Sequence, residues 1–199
     1  MSGLDLAREH AHAVEALTDA QHEDLVVAGV DRVDIALGMV GAAYGHVVGE
    51  RFEPLPGGKL AYCTPIRVDP FRPLSLETPA PASAVRAGEI VDLILWHPDA
   101  PGRWALRAGS AEYLGLIEPQ YCGPEPVAIH RSVLGWFRAG CDGLVILSPD
   151  PWIVYRLLSQ CTSGIVAEDE RHAEELRAAL EHPWPHRPKV FVSEARHAR

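Results

Sequence analysis

The sequence predicts an α/β fold: a C-terminal unit with a parallel sheet, preceded by an N-terminal helical segment and an antiparallel β region. Three observations lead there. From Pro126 onward, the apolar runs VAIH, DGLVILS, GIVAED and KVFVS alternate with stretches of helical period. Residues 1–40 place apolar side chains at helical spacing between capping residues. Residues 41–120 are rich in β-formers and turn signals. A chain of 199 residues suits one domain, or a domain with a small appended lobe. With 47% hydrophobic and 23% charged residues, a packed core is expected and wholesale disorder is not.

The elements follow in order. Leu4, Ala7, Ala11, Val14 and Leu17 mark a first helix. Thr18 and Asp19 cap a second, about Ala20 to Ala28, which Gly29 ends. Asp31 opens a third, Arg32 to Met39. From Tyr44 to Val68, a turn at Pro56-Gly57-Gly58 separates two β-rich runs, a hairpin or meander. The prolines between 69 and 88 remove backbone donors and predict a long loop. EIVDLILW is a strand, HPDAPG a turn, and RWALRAG a returning strand. Ser110 is expected to cap a short helix, AEYLG, before a second Pro-rich connection. The α/β unit then spans 126–193: VAIH, a helix capped by Ser132, DGLVILS, a helix from Pro149 to Gln160, GIVAED, a helix from Glu170 to Glu181, and KVFVS, with a tail at 194–199.

The formal charge of -9 argues against clamping a long nucleic acid, which needs clustered Lys and Arg, but allows a local basic patch or a basic partner protein. Arg187, Lys189, Arg196 and Arg199 make one modest patch near the end of the chain. Cys63, Cys122, Cys141 and Cys161 form no C-x-x-C pair, and the N-terminus lacks a basic start followed by an apolar run. Reduced thiols and a cytoplasmic location are expected, with no membrane span. Trp136 and Trp152, in apolar helices, are expected in the core; Trp96 and Trp104 flank a turn and fit either a core or a stacking surface.

In open α/β sheets, ligands sit beyond the carboxyl ends of the strands. That rule selects His130 and Arg131, then Ser148 and Asp150, then Glu168, Asp169 and Glu170. The first four form a candidate ligand-binding edge. The three acids can hold Mg²⁺ together with substrate phosphates, though acids just ahead of a helix more often serve its N-terminus. No nucleophile elbow, P-loop or dinucleotide-binding loop is present, so no catalytic residue is assigned.

VAIHRSVLGWFRAGCDGLVIL followed by GIVAEDERHAEELRAAL resembles the Toprim core of bacterial and phage primases. The resemblance runs from about Val127 to Leu180. It implies a compact parallel-sheet unit. It also implies lost chemistry: the family's Glu-Gly falls on His130-Arg131, its Asp-x-Asp on Glu168-Asp169-Glu170, and its following Gly on Ala173. The chain also looks like small proteins encoded in prophages and integrated elements of proteobacteria. The resemblance therefore points to a non-catalytic accessory protein of a mobile element. Its work would lie in DNA replication or nucleic-acid metabolism, with a replication protein or single-stranded nucleic acid as partner. Two alternatives stand beside it: a Mg²⁺-dependent phosphoryl-transfer enzyme using the acidic cluster, and an acidic protein that sequesters a host factor.

Overall fold

A computed structural model describes residues 5–68, 89–115, 125–161 and 163–181. The chain is mixed α/β. It opens with three helices, α1 (Leu6–Glu15), α2 (Asp19–Ala28) and α3 (Arg32–Ala36). Each is capped as its sequence dictates. Asp5 and Asp31 accept backbone N–H groups at α1 and α3. Thr18 and Gln21 form a reciprocal capping box at α2, and Gly29 closes that helix in the left-handed conformation.

Five strands then form a closed barrel in the order β1-β2-β5-β4-β3. They are β1 (Gly41–Val48), β2 (Arg51–Pro54), β3 (Lys59–Val68), β4 (Glu89–Trp96) and β5 (Trp104–Leu106). The run expected as one strand before the Pro-Gly-Gly turn is itself folded over at Gly49-Glu50, so three strands replace two. Four pairings are antiparallel, and a single parallel pair, Arg51 with Leu106, closes the ring between β2 and β5. The inward face carries Phe52, Cys63, Leu93, Leu95 and Ala105, with Ala43 and Ala61 packed against them. Helix α1 adds Leu6 and Ala13 to this cluster and stops one end of the barrel.

The second sheet runs β6-β8-β7-β9, from β6 (Tyr113–Gly115), β7 (Val127–His130), β8 (Leu144–Ile146) and β9 (Ile165–Val166). β7 pairs parallel with both β8 and β9, as the alternation of elements predicts. β6 pairs antiparallel with β8, so the sheet is mixed. This corrects two expectations. The segment AEYLG ends in the strand Tyr113–Gly115, and the β-rich region ends inside the C-terminal sheet. Ser110 caps no helix because its hydroxyl is turned to the Val91 carbonyl and the Asp92 carboxylate. KVFVS, the Pro-rich loop at 69–88 and the basic residues of the tail lie outside the described residues.

Three helices flank this sheet: α4 (Val133–Arg138), α5 (Pro151–Ser159) and α6 (Glu170–Glu181). One sheet face, through Val127, Ile129 and Leu144, packs with Leu158 of α5 and Leu176 of α6. Across the other face, Val145 and Leu147 join Trp136 and Phe137 of α4, Tyr62, Ile94 and Trp96 of the barrel's outer wall, and Leu25 and Ile35 of the leading helices. The N-terminal helices therefore pack on the C-terminal unit and share its core. Arg138 fixes that junction by donating to the Ala28 carbonyl at 2.9 and 2.7 Å. Trp152 departs from its expected core position: it is half exposed in the first turn of α5 and stacks on Tyr155.

Among the described residues, no helix is long and apolar enough to cross a membrane. Cys63, Cys141 and Cys161 are buried. Burial pushes the Cys63 thiol up to about 12, so it stays protonated. His10 is buried against it, 3.9 Å from its sulfur through Nδ1, while Nε2 reaches the Gly38 carbonyl at 2.8 Å. Burial lowers the His10 pKa from 6.5. Burial, and next the Arg131 charge, does the same to His172. Both rings resist protonation in the folded chain and accept a proton near 6.5 when unfolded. Stability from both is complete above that pH and drains as pH falls below it. The melting temperature is therefore expected to fall between about pH 7.5 and about pH 5, and less steeply in His10→Gln. A flat profile over that interval would refute the account.

Candidate functional site

The parallel pairing of β7 with β8 and β9 sets three strand tips side by side. His130 ends β7, and Ser132 then caps α4 through the Gly135 N–H at 3.0 Å. Two residues past β9, Glu168 turns back toward β7, and its Oε1 lies 3.4 Å from His130 Nδ1. The other ring nitrogen, Nε2, is 2.9 Å from the Asp142 carbonyl. His130 thus stands between two acceptors, and a neutral ring carries only one N–H to serve them. Glu168 is held from below by its own helix: its backbone N–H donates to His172 Nδ1 at 3.2 Å. A Cβ at Gly135 would sit 2.6 Å from Glu168 Oε1, so a side chain there would displace that carboxylate from His130.

Arg131 points along the same edge. It donates to Asp169 at 2.5 Å and to Glu175 at 3.3 Å. The His172 backbone N–H, and after it Arg131, hold the Asp169 carboxyl below its usual range. Burial works against the Glu175 carboxylate, yet hydrogen bonds from Arg131 and Arg171 keep it below its usual range too. Glu170 leaves this group and pairs with Arg177 one face away, at 2.9 Å. The sequence-adjacent acids therefore go to three different partners: Glu168 to His130, Asp169 to Arg131, Glu170 to Arg177. Among the described residues, no three His, Cys, Asp or Glu side chains gather as metal ligands. Ser148 and Asp150 serve the entry to α5: Asp150 Oδ1 accepts the Trp152 N–H at 2.8 Å, and Ser148 Oγ accepts the Asp150 N–H at 3.2 Å.

No family model, curated protein or solved structure matches this chain. The chemistry must be argued from its own geometry. The tip of the sheet is a self-paired charge network, with His130 and Glu168 facing each other and Arg131 shared by two carboxylates.

A second feature was not singled out from the sequence. The barrel end away from α1 opens into a cavity of about 990 Å³ that reaches Pro149 at the start of α5. Its floor is the inward face of the barrel, through Phe52, Ala61, Leu95 and Ala105. The signals that mark it were present: small residues at every second position of β1 (Gly41, Ala43, Gly45), and two tryptophans flanking the HPDAPG turn. Trp96 is buried in the shared core, whereas Trp104 is half buried and lines the opening.

Proposed function

We propose that the chain is a non-catalytic accessory protein of a mobile element, acting in DNA replication or nucleic-acid metabolism through a Toprim-like α/β scaffold. Its partner is single-stranded nucleic acid or a replication protein. The observation that carries the reading is the state of the strand-tip acids. A Mg²⁺ site for phosphoryl transfer needs converging, unclaimed carboxylates. Here Asp169 is shared with Arg131 and the backbone of His172, Glu170 with Arg177, and Glu168 faces His130. To hold a cation, each would have to surrender a partner supplied by the chain. The same pairs stiffen the edge as a scaffold: Arg131 ties the end of β7 to two positions of the α6 region.

Thermal melting with millimolar Mg²⁺ or Mn²⁺ tests this reading. An unchanged melting temperature is expected, because a ligand that binds the folded chain raises stability by mass action. A metal-dependent rise abolished by Glu168→Gln would overturn the reading and favour the phosphoryl-transfer enzyme.

A further inference from the structure

Helix α1 is seated on the end of the barrel by a close backbone approach and by polar ties, and one of those ties holds in a single protonation state. A Cβ at Gly41 would lie 2.4 Å from the Ala13 carbonyl carbon, so the helix backbone rests directly on β1. Ala13 and Ala16 then cover Phe52, Cys63 and Leu95 at that end. The Arg107 guanidinium donates to the Glu9 carboxylate of the helix at 2.7 and 3.1 Å. The remaining tie is His10, which is buried.

The His10 ring completes a matched relay. The Gly38 carbonyl only accepts, so Nε2, 2.8 Å from it, carries the N–H. In a neutral ring Nδ1 is then a lone pair, and it faces the Cys63 sulfur at 3.9 Å. Burial keeps that thiol protonated, so its S–H donates to Nδ1. One donor meets one acceptor at each step, from β3 through α1 to the passage between α3 and β1. A proton added at Nδ1 sets N–H against S–H and buries a charge. The charged groups around the ring do not relieve this. Arg67 of β3 repels the added charge. Asp5 of the same helix and Glu89 of β4 line one cavity with the ring, and Glu9 is engaged by Arg107. Both ring nitrogens are already committed, so these carboxylates meet the new proton only if the ring moves.

We propose that α1 is an acid-released plug: protonation of His10 breaks the relay and lifts the helix from the barrel end, uncovering Cys63 while the rest of the chain stays folded. Burial, and with it the Arg67 charge, lowers the His10 pKa from 6.5 while α1 is docked. A released helix restores the ordinary value, so release gains ground as the pH falls below it. The Glu9–Arg107 pair does not involve the ring and sets how firmly α1 is held at every pH.

Thiol accessibility in the full chain tests this. Labelling with dithiodipyridine, mapped by peptide mass spectrometry, gives a rate for each cysteine. Dividing by the rate in the urea-unfolded chain at the same pH removes the intrinsic thiol chemistry. Cys141 and Cys161 are buried away from α1 and serve as internal references. Between about pH 7.5 and about pH 5, the protection of Cys63 is expected to fall about tenfold, while that of Cys141 and Cys161 holds. His10→Gln keeps a donor for Gly38 and gains no proton, so its Cys63 protection should not change with pH. Glu9→Gln should lower protection at every pH and leave the pH-dependent fall in place. Hydrogen exchange of the α1 amides in the natural chain gives a second reading, with protection lost alongside that of Cys63. Equal losses at Cys63, Cys141 and Cys161 would show global unfolding and overturn the plug, as would constant protection of Cys63 or of the α1 amides. A fall at Cys63 that persists in His10→Gln would assign the release to another group and overturn the role of the relay.

Discussion

Replacing Trp136 with alanine is expected to lower the unfolding free energy by about 3–5 kcal/mol, one of the two largest single-residue effects in the molecule. Trp136 is fully buried at the centre of α4. Its ring meets Phe137 edge-on at 5.2 Å; Phe137 meets Trp96 at 5.6 Å, and Trp96 meets Tyr62 at 5.8 Å. This file of rings crosses from the α/β unit to the barrel wall, so the cavity left by alanine opens at the seam between the two sheets. Trp136→Phe should cost less than alanine for two reasons. It keeps most of the ring contacts, and it removes an indole N–H that is buried without a hydrogen-bond partner among the described residues. Urea denaturation followed by circular dichroism measures both variants. A loss under about 1 kcal/mol in Trp136→Ala would show that the seam repacks freely and that the ring file does not join the two sheets.

The seam also explains what the sequence could and could not disclose. Local signals were sufficient wherever an element is built from its own neighbours. Ser132 caps α4 at the position its side chain predicts, while α5 starts at Pro151 rather than Pro149 and takes Asp150 as its cap. The succession β7, α4, β8, α5, β9, α6 is legible because short apolar runs alternate with helical periods, and it forces parallel pairing. The barrel was not legible. It closes through one residue pair between β2 and β5, a contact 55 residues apart (Arg51 to Leu106) with no periodic signature. β6 was misread because Leu114 gains its strand from Val145, a partner remote in sequence, while Ser110 merely has the composition of a helix cap. At the strand tips, the rule for α/β sheets selects His130 and Arg131 as one group and Glu168 and Asp169 as another, and the two groups pair with each other. Their pairing was beyond it: an acidic triplet reads as one cluster, yet its first two members reach back 38 residues to His130 and Arg131 while Glu170 turns forward to Arg177. Trp152 shows the limit of periodicity at helix ends. In the first turn, just after the Asp150 cap, it lies beyond the face that Leu157 and Leu158 bury.

Asp92→Ala is expected to approach Trp136→Ala, at about 3 kcal/mol or more from several lost hydrogen bonds to a carboxylate, by a different route. Asp92 sits on β4 with no exposed surface. Its carboxylate accepts the N–H groups of Leu93 and Ala108 on Oδ1, each at 2.8 Å. Oδ2 accepts the Ser110 N–H at 2.8 Å, with the Ser110 hydroxyl and the Ala111 N–H at 3.2 Å. A buried carboxylate is tolerated because these donors replace its water. Together they shape residues 108–111, the passage that carries the chain from the barrel into β6 and the second sheet. Alanine leaves the buried Leu93 N–H and the half-buried N–H groups of 108–111 without their acceptor, at about 1–3 kcal/mol for each that stays away from water. Asp92→Asn keeps the shape but turns an NH₂ group toward donors, so it should recover little. Hydrogen exchange separates this from a simple packing defect. In both variants, amides 108–111 and their β6 neighbours should exchange faster at denaturant concentrations too low to unfold the chain, while α6 amides keep their protection. Full stability in Asp92→Asn would mean that an amide satisfies the same donors, and that the negative charge is not what holds the passage.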